Sequence, residues 1–223
     1  MIELRDVTAG GMRGVSFALA PGESARLLLS STADLTLLVR LVAGAERPQA
    51  GSVLLFGTDL AGADDARALA LLARTGIVWP SGGFVSNLKV WENILLPLWY
   101  HGSRDEAGLE EEAVALLGRL GLEAGRIPGF LAALPGSLPE REQRILGAAR
   151  AMLMDAELMI YAGLLEGLDA PTRALLAAEA ARHHARRAGR ASLYLVAGAS
   201  GLLEPFDGIS LRQDETGGIA PWR

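Results

Sequence analysis

The stretch PGESARLLLSSTADLTLLVRLVAG, residues 21–44, reads as a turn, a strand and a helix in that order. Pro21-Gly22-Glu23 is turn chemistry: proline presets φ and glycine accepts the left-handed region. Ser24 to Leu29 is an apolar run of strand length. Ser30-Ser31-Thr32 then offers hydroxyls to the free N–H groups of a helix start, so Ser31 or Thr32 is the expected N-cap, with the helix running to about Val42. Ala43-Gly44 closes it, glycine being favoured just past a helix end. A strand entering a helix through so short a turn is the building unit of an α/β domain.

Working outward, the same alternation recurs. Residues 2–8 alternate as a strand, and 15–20 form a second short one, with Gly10, Gly11 and Gly14 between them. Residues 52–56 read as a strand, 64–73 as a helix and 75–79 as a strand. A mostly helical stretch covers about 88–151, with breaks expected at Pro97, Gly121, Pro128 and Pro135. Leu158 to Tyr161 reads as a buried strand, 170–188 as a helix and 192–197 as a strand. Strands alternating with helices imply an α/β core, and the helical insert makes it lobed.

Composition narrows the chemistry. A chain of 223 residues suits one large or lobed domain. A net charge of −5 and a pI near 5.3 argue against a nucleic-acid footprint. With no cysteine, disulfides, thiolate metal sites and Cys nucleophiles are excluded. The three histidines are His101, His183 and His184, the last two adjacent in an arginine-rich stretch, and no metal centre is expected from them. There is no apolar run of about 18 residues, and the first residues lack a signal-peptide pattern, so a cytoplasmic protein is expected. Half the residues are hydrophobic and only 21% charged, which points to surface buried against partners. Among 21 basic residues only Lys89 is a lysine; a Schiff base or a phosphate-binding loop would have to use it or do without.

The framework residues resemble the ATP-binding subunit of ABC transporters over nearly the whole chain. Pro21-Gly22-Glu23 precedes the strand leading to the P-loop, as in that family. Leu38 to Gly44 resembles its "LLRLLAG" segment, and Gly51-Ser52-Val53 with Gly57 resembles "GxVxxxG". Trp91 to Leu98 is close to "xENVxLPL" after the Q-loop, and Ala149-Arg150-Ala151-Met152 matches "ARAL". Gly167-Leu168-Asp169 with Thr172-Arg173 matches the D-loop segment. The resemblance implies an α/β fold of the P-loop NTPase-like ABC ATPase type, with a mostly parallel core sheet, an N-terminal antiparallel β subdomain and a helical subdomain. It implies a single domain over 1–223, with a core lobe at about 1–83 and 150–223 and a helical lobe at about 84–149.

Aligned on that framework, the chemical positions depart from the family. A P-loop curls glycine N–H groups around phosphate at a helix start, adds a lysine cation and places a hydroxyl on Mg²⁺. Residues 29–37 contain no glycine. Leu29, Thr32 and Leu37 belong to this stretch, Leu35 stands at the lysine position, Asp34 sets a carboxylate beside the phosphates, and Thr36 alone keeps the magnesium hydroxyl. At the end of the Walker B strand Ala162 and Gly163 replace the acids that would order metal and polarise water; Glu166 is three residues late. At the signature, Leu138-Pro139-Glu140-Arg141-Glu142 stands for LSGGQ, and Ser137-x-x-Glu140 has the spacing of a capping box that would seal the helix start. Arg141 is a further candidate for an anion. Pro80 occupies the Q-loop glutamine position and Gly198 that of the switch histidine. Asp169 is the surviving D-loop residue. The Thr8 to Arg13 connection lacks an aromatic for adenine.

The resemblance thus implies a subunit of a membrane transport complex, peripheral on the inner face of the membrane, with a membrane subunit and a second ABC ATPase-like subunit as partners. The replaced positions imply a pseudo-ATPase with a structural or regulatory role, no catalytic residue, and no cofactor. The alternative is an ATPase of weak or atypical activity, using ATP and Mg with Thr36 and Asp169. A groove of Trp79, Phe84, Leu88, Trp91, Leu95, Trp99 and Tyr100 is the expected partner contact, since interface anchors are aromatic-rich. The segment from Trp91 to Leu98 looks somewhat like lipid-handling transporters.

Overall fold

The computed structural model describes residues 1–101, 108–197 and 206–222. The chain begins with β1 (Ile2–Ala9) and β2 (Met12–Leu19). Alternation along β1 turns Ile2, Leu4, Val7 and Ala9 inward, as a sheet covered on one face requires. β1 pairs antiparallel with β2 and with β4 (Ala50–Leu55), and β4 pairs with the short β5 (Thr58–Asp59). The β1–β4 register shifts between Arg5 and Thr8. Opposite this bulge sits Gly51 at φ +82°, and any Cβ there would strike the Arg5 carbonyl oxygen. Only glycine allows the two backbones so close.

The second sheet is assembled from β3 (Ser24–Leu28), β6 (Thr75–Val78), β7 (Leu158–Ala162), β8 (Ala191–Val196), β9 (Ile209–Gln213) and β10 (Ile219–Pro221). Their spatial order is β10-β9-β3-β8-β7-β6. All neighbours run parallel except β10 against β9. Every residue of β7 and β8 is buried, because helices cover both faces; this is why these strands read as continuous apolar runs.

Seven α-helices lie among the described residues: α1 (Thr32–Val42), α2 (Asp65–Leu72), α3 (Val90–His101), α4 (Leu109–Arg119), α5 (Ile127–Ala132), α6 (Glu140–Leu153) and α7 (Ala170–Ala185). Side chains of β7 alternate between two cores. Leu158, Ile160 and Ala162 join Leu27, Leu38 and Val15 beneath the antiparallel sheet. Met159 and Tyr161 join Ile94, Leu117 and Ile145 among the remaining helices. An antiparallel β subdomain thus stands beside a parallel-dominant core sheet, the arrangement that the sequence resemblance implies.

Several sequence expectations need correction. Pro97 does not break the helix but lies inside α3. It removes one N–H from the ladder, while Val90, Ile94, Leu95 and Leu98 keep that helix in the core. The Asn93 amide also fastens the helix start, accepting from Val85 N at 2.9 Å and donating to the Leu88 oxygen at 2.9 Å. The helix expected over 170–188 stops at Ala185, and the second strand starts at Met12. Strands β5, β9 and β10 were not expected at all. They are short or mostly exposed, so burial leaves little pattern in their sequences.

Candidate functional site

The turn between β3 and α1 is built as its hydroxyls suggest. Ser31 is the N-cap, at φ −151°, and its Oγ accepts from Asp34 N at 3.0 Å. Leu35, at the lysine position, is fully buried in the core with Leu27 and Leu38. Leu29 is buried too, and its N–H goes to the Val196 oxygen at 2.8 Å. Thr36 turns its hydroxyl back along the helix onto the Thr32 oxygen at 2.8 Å. Asp34 is only 7% exposed. One of its oxygens accepts from Gly11 N at 2.8 Å and the other from the Ser31 hydroxyl at 3.1 Å.

Those bonds bring the tip of the β1–β2 hairpin down on the start of α1. A Cβ at Gly10 would meet Leu37 Cδ2 at 2.7 Å, and one at Gly11 would meet Asp34 at 2.6 Å. Gln213 closes the third side: its Oε1 accepts from Ser30 N at 2.8 Å, and its Nε2 donates to the Gly11 oxygen at 3.1 Å. A glycine-rich phosphate loop leaves N–H groups open; here the N–H groups of Leu29, Ser30 and Asp34 already have partners.

At the end of β7, Ala162 is buried and Gly163 turns the chain at φ +60°, its N–H bonding the Leu195 oxygen at 2.9 Å. Glu166 is less remote than its register suggests. Its side chain folds back so that one oxygen lies 3.3 Å from where a Cβ of residue 163 would be, while the other accepts from Ala197 N at 2.7 Å. Asp169 caps α7, accepting from Thr172 N at 2.7 Å. That bond lowers its pKa from the ordinary carboxylate value. Gly198 lies outside the described residues. The Pro80 oxygen accepts from Arg144 at 2.9 Å.

The expected capping box does not form. α6 starts after Pro139, which has no side-chain cap, and the Ser137 hydroxyl points away, donating to the Leu134 oxygen at 2.8 Å. Proline at the cap position sets the chain direction and leaves Ser137 in the preceding 3-10 turn. Leu138 is buried. Glu140 is exposed and lies 3.6 Å from Arg144, whereas Glu142 is buried and paired with Arg126 at 2.5 Å. Arg141 bridges Thr172 Oγ1 at 3.0 Å and the Gly121 oxygen at 2.9 Å, which uses up two of its donors within the fold.

The expected aromatic groove is only partly assembled. A cavity of about 430 Å³ is walled by Leu72, Ile77, Trp79, Leu96, Pro97 and Tyr100. Trp79 and Tyr100 belong to the expected set. Leu95 faces the core instead, Phe84 and Trp91 pack on the helical core, and Leu88 is not in this wall. The helix presents the next residue, Leu96, to the cavity. Trp99 is 50% and Tyr100 69% exposed on the same helix. Arg150, largely missed by sequence reasoning beyond its framework match, supports this wall: its guanidinium donates to the Gly83 and Gly82 oxygens at 2.8 and 2.6 Å and lies over the Phe84 ring. Burial brings its pKa down to about 10. Behind β7, Tyr161 stacks on Tyr194 at 4.8 Å, and its hydroxyl meets His183 Nδ1 at 3.4 Å. His183 Nε2 donates to the Met152 oxygen at 3.0 Å.

Among the described residues no group of three His, Asp or Glu could hold a metal, and no helix is long and apolar enough to cross a membrane. No protein-family model matches the chain. A methionine import ATP-binding protein of Paraburkholderia xenovorans is 32% identical over 174 residues, covering 78% of this chain and 44% of that protein. One from Caulobacter vibrioides is 32% identical over 181 residues, covering 77% and 52%. The chain thus spans about half the length of the curated relatives it matches. Among solved structures, the dimeric post-hydrolysis state of an ATP-binding cassette bound to ADP and phosphate superposes with a TM-score of 0.82 at 17% identity, covering 100% of this chain and 99% of that one. A bacterial Atm1-family ABC exporter with ATP bound gives 0.78 at 20% identity, covering 98% and 37%. The chain has the ABC ATPase fold and is a sequence relative of the ABC transporter ATP-binding subunits.

Proposed function

We propose that the chain is the ATP-binding-cassette-type subunit of a membrane transport complex, held on the inner face of the membrane by a membrane subunit and paired with a second cassette. Within that complex we assign it a structural or regulatory role as a pseudo-ATPase. One observation carries this reading: the start of α1 is occupied by the protein itself. Asp34 answers Gly11 and Ser31, and Leu35 is buried where a cation would be needed. A carboxylate at a helix start takes up the favourable dipole and repels a phosphate, and the Asp34 N–H itself is capped by the Ser31 hydroxyl oxygen. The replacement of both acids by Ala162 and Gly163 supports the same reading, since a loss of metal and water ordering removes several kcal/mol of transition-state stabilisation.

The comparisons favour the other reading. The curated relatives are named for ATP binding and one structural neighbour holds ADP and phosphate, which weighs against a protein that needs no cofactor. In that reading the chain is an ATPase that powers transport with a partner, with Thr36 and Asp169 at the nucleotide and Mg²⁺. Those relatives are named for import of methionine, and no lipid role is proposed. Calorimetry with Mg-ATP and a phosphate-release assay on the purified chain separate the two. Absence of binding supports the pseudo-ATPase; Mg-dependent turnover that vanishes in Thr36→Ala overturns it. The wall of Trp79, Leu96, Pro97 and Tyr100 is the proposed contact for the membrane subunit, and unchanged copurification of that subunit with Trp99→Ala and Tyr100→Ala removes it.

A further inference from the structure

Three segments of the chain meet at the start of α1: the hairpin tip at residues 10–13, the turn and first helical residues at 30–37, and the end of β9 with its following turn at 213–217. Gly11 N donates to Asp34, Ser30 N to Gln213, and Gln213 to the Gly11 oxygen. Arg13 N adds a bond to the Gly217 oxygen at 2.7 Å. The backbone is shaped for this approach. Gly10 and Gly217 sit at φ +56° and +88°, and a Cβ at Gly217 would strike the Gly11 oxygen. Asp34 and Gln213 are 7% and 6% exposed, so their bonds are shielded from competing water.

We propose that Asp34, Gln213 and the β1–β2 tip form a latch that holds the antiparallel sheet shut on the start of α1 in the resting protein, with no nucleotide bound. Asp34 is its centre, because a single carboxylate ties the hairpin to the helix cap. Gln213 is the second bolt, joining hairpin and turn to β9 of the parallel-dominant sheet. Asp34 ties the tip to the helix and Gln213 ties it to β9, so loss of one leaves the other in place. The latch rests on the proposed function only in taking the start of α1 as the site, and it bears on access to that site: Asp34, bonded to Gly11 N and the Ser31 hydroxyl, sets a negative charge beside the helix start that opposes an incoming anion.

Amide hydrogen exchange on the nucleotide-free full chain tests this. The Gly11 and Ser30 amides are expected to exchange slowly in the wild type. Asp34→Ala and Gln213→Ala are each expected to speed them by roughly ten- to a hundred-fold, the loss of one shielded hydrogen bond. Asp34→Asn, which keeps an acceptor for Gly11, is expected to restore most of the protection. Unchanged exchange at Leu27 and Leu195 in the central strands verifies that each variant is folded. Loop-fast exchange of Gly11 and Ser30 in the wild type, or no effect of either alanine variant in a folded protein, overturns the latch. Titration with Mg-ATP reads the other question. A heat of binding together with slow Gly11 and Ser30 exchange in the free protein overturns the proposed function and leaves the latch standing. Fast exchange with no heat of binding overturns the latch alone.

Discussion

Leu35→Lys restores the residue type that a phosphate loop would carry, and the structure says what it costs. Leu35 is fully buried among Leu27, Leu38 and Val39. Removing its apolar side chain from that core forfeits about 2 kcal/mol of transfer free energy. The new amine must then be neutral or reach water. A fully buried lysine loses about 3–5 pKa units, and at 1.36 kcal/mol each this is about 4–7 kcal/mol. Snorkelling of the four-carbon stem recovers part of it. A net loss of about 6 kcal/mol is comparable with the whole stability of a domain, about 5–15 kcal/mol. For a chain of this size it lowers Tm by roughly 12–24 °C. Thermal unfolding followed by circular dichroism measures this, with Leu35→Met as the volume-conserving control expected to cost below about 1.5 kcal/mol. Because Lys89 is the only native lysine, the second ammonium is also resolved directly in a lysine-labelled NMR titration. A Leu35→Lys protein that melts within about 3 °C of wild type and keeps its new ammonium charged above pH 10 refutes the reasoning. Position 35 would then have a polar path to the helix start, with room for a phosphate.

Three further outcomes are expected. His183 is held neutral, its pKa lowered from 6.5 to about 4 by burial first and by Arg190 second; the unfolded chain takes up the proton near 6.5 and the folded one does not. The His183 contribution is therefore full above pH 6.5 and falls by about 1.4 kcal/mol per unit as pH drops toward 4, about 3 kcal/mol in all; urea midpoints at pH 7, 6 and 5 should show this slope, and a His183→Gln protein should lose that contribution and keep only what His101 and His184, also lowered by burial, add. Arg150→Ala removes two charge-assisted bonds to the Gly82 and Gly83 oxygens and should cost about 3 kcal/mol in urea unfolding, with a shifted Trp79 emission as the wall of the cavity relaxes. Gly51→Ala drives a methyl into the Arg5 carbonyl at φ +82° and should lower stability by about 3 kcal/mol or more; a change within 1 kcal/mol would mean the bulge can shift.

The parallel core was legible because its physics leaves a mark. Leu158–Ala162 is buried on both faces, and a doubly covered strand is written in continuous apolar residues; Ser24–Leu28 is buried at its centre. Ser31 was legible as a cap for the same reason that Ser137 was misleading: a hydroxyl before a helix fits both, and only the chain direction set by Pro139 decides. Gln213 left no signal. Its strand is half exposed, and its partners Gly11 and Ser30 are 202 and 183 residues away. Glu166 was discounted on register, which treats the chain as straight; the turn at Gly163 brings its carboxylate back beside the strand end. The orientation of α3 was also beyond reach, since Leu95 and Leu96 are equally apolar and only packing decides which enters the core.

The place of Gln213 in the chain has a consequence for how the molecule is made. Ser30 leaves the ribosome 183 residues before its hydrogen-bond acceptor. At about 5–20 residues per second, that is a delay of roughly 10–40 s. During that interval β3 and α1 can form, yet β9 is still missing, and the Gly11 oxygen lacks its Gln213 donor. The Gly11 bond to Asp34 joins residues 23 apart and can form early, whereas the bonds from Ser30 and to Gly11 that Gln213 makes must wait for β9, so the hairpin is fastened over the helix in two separate steps.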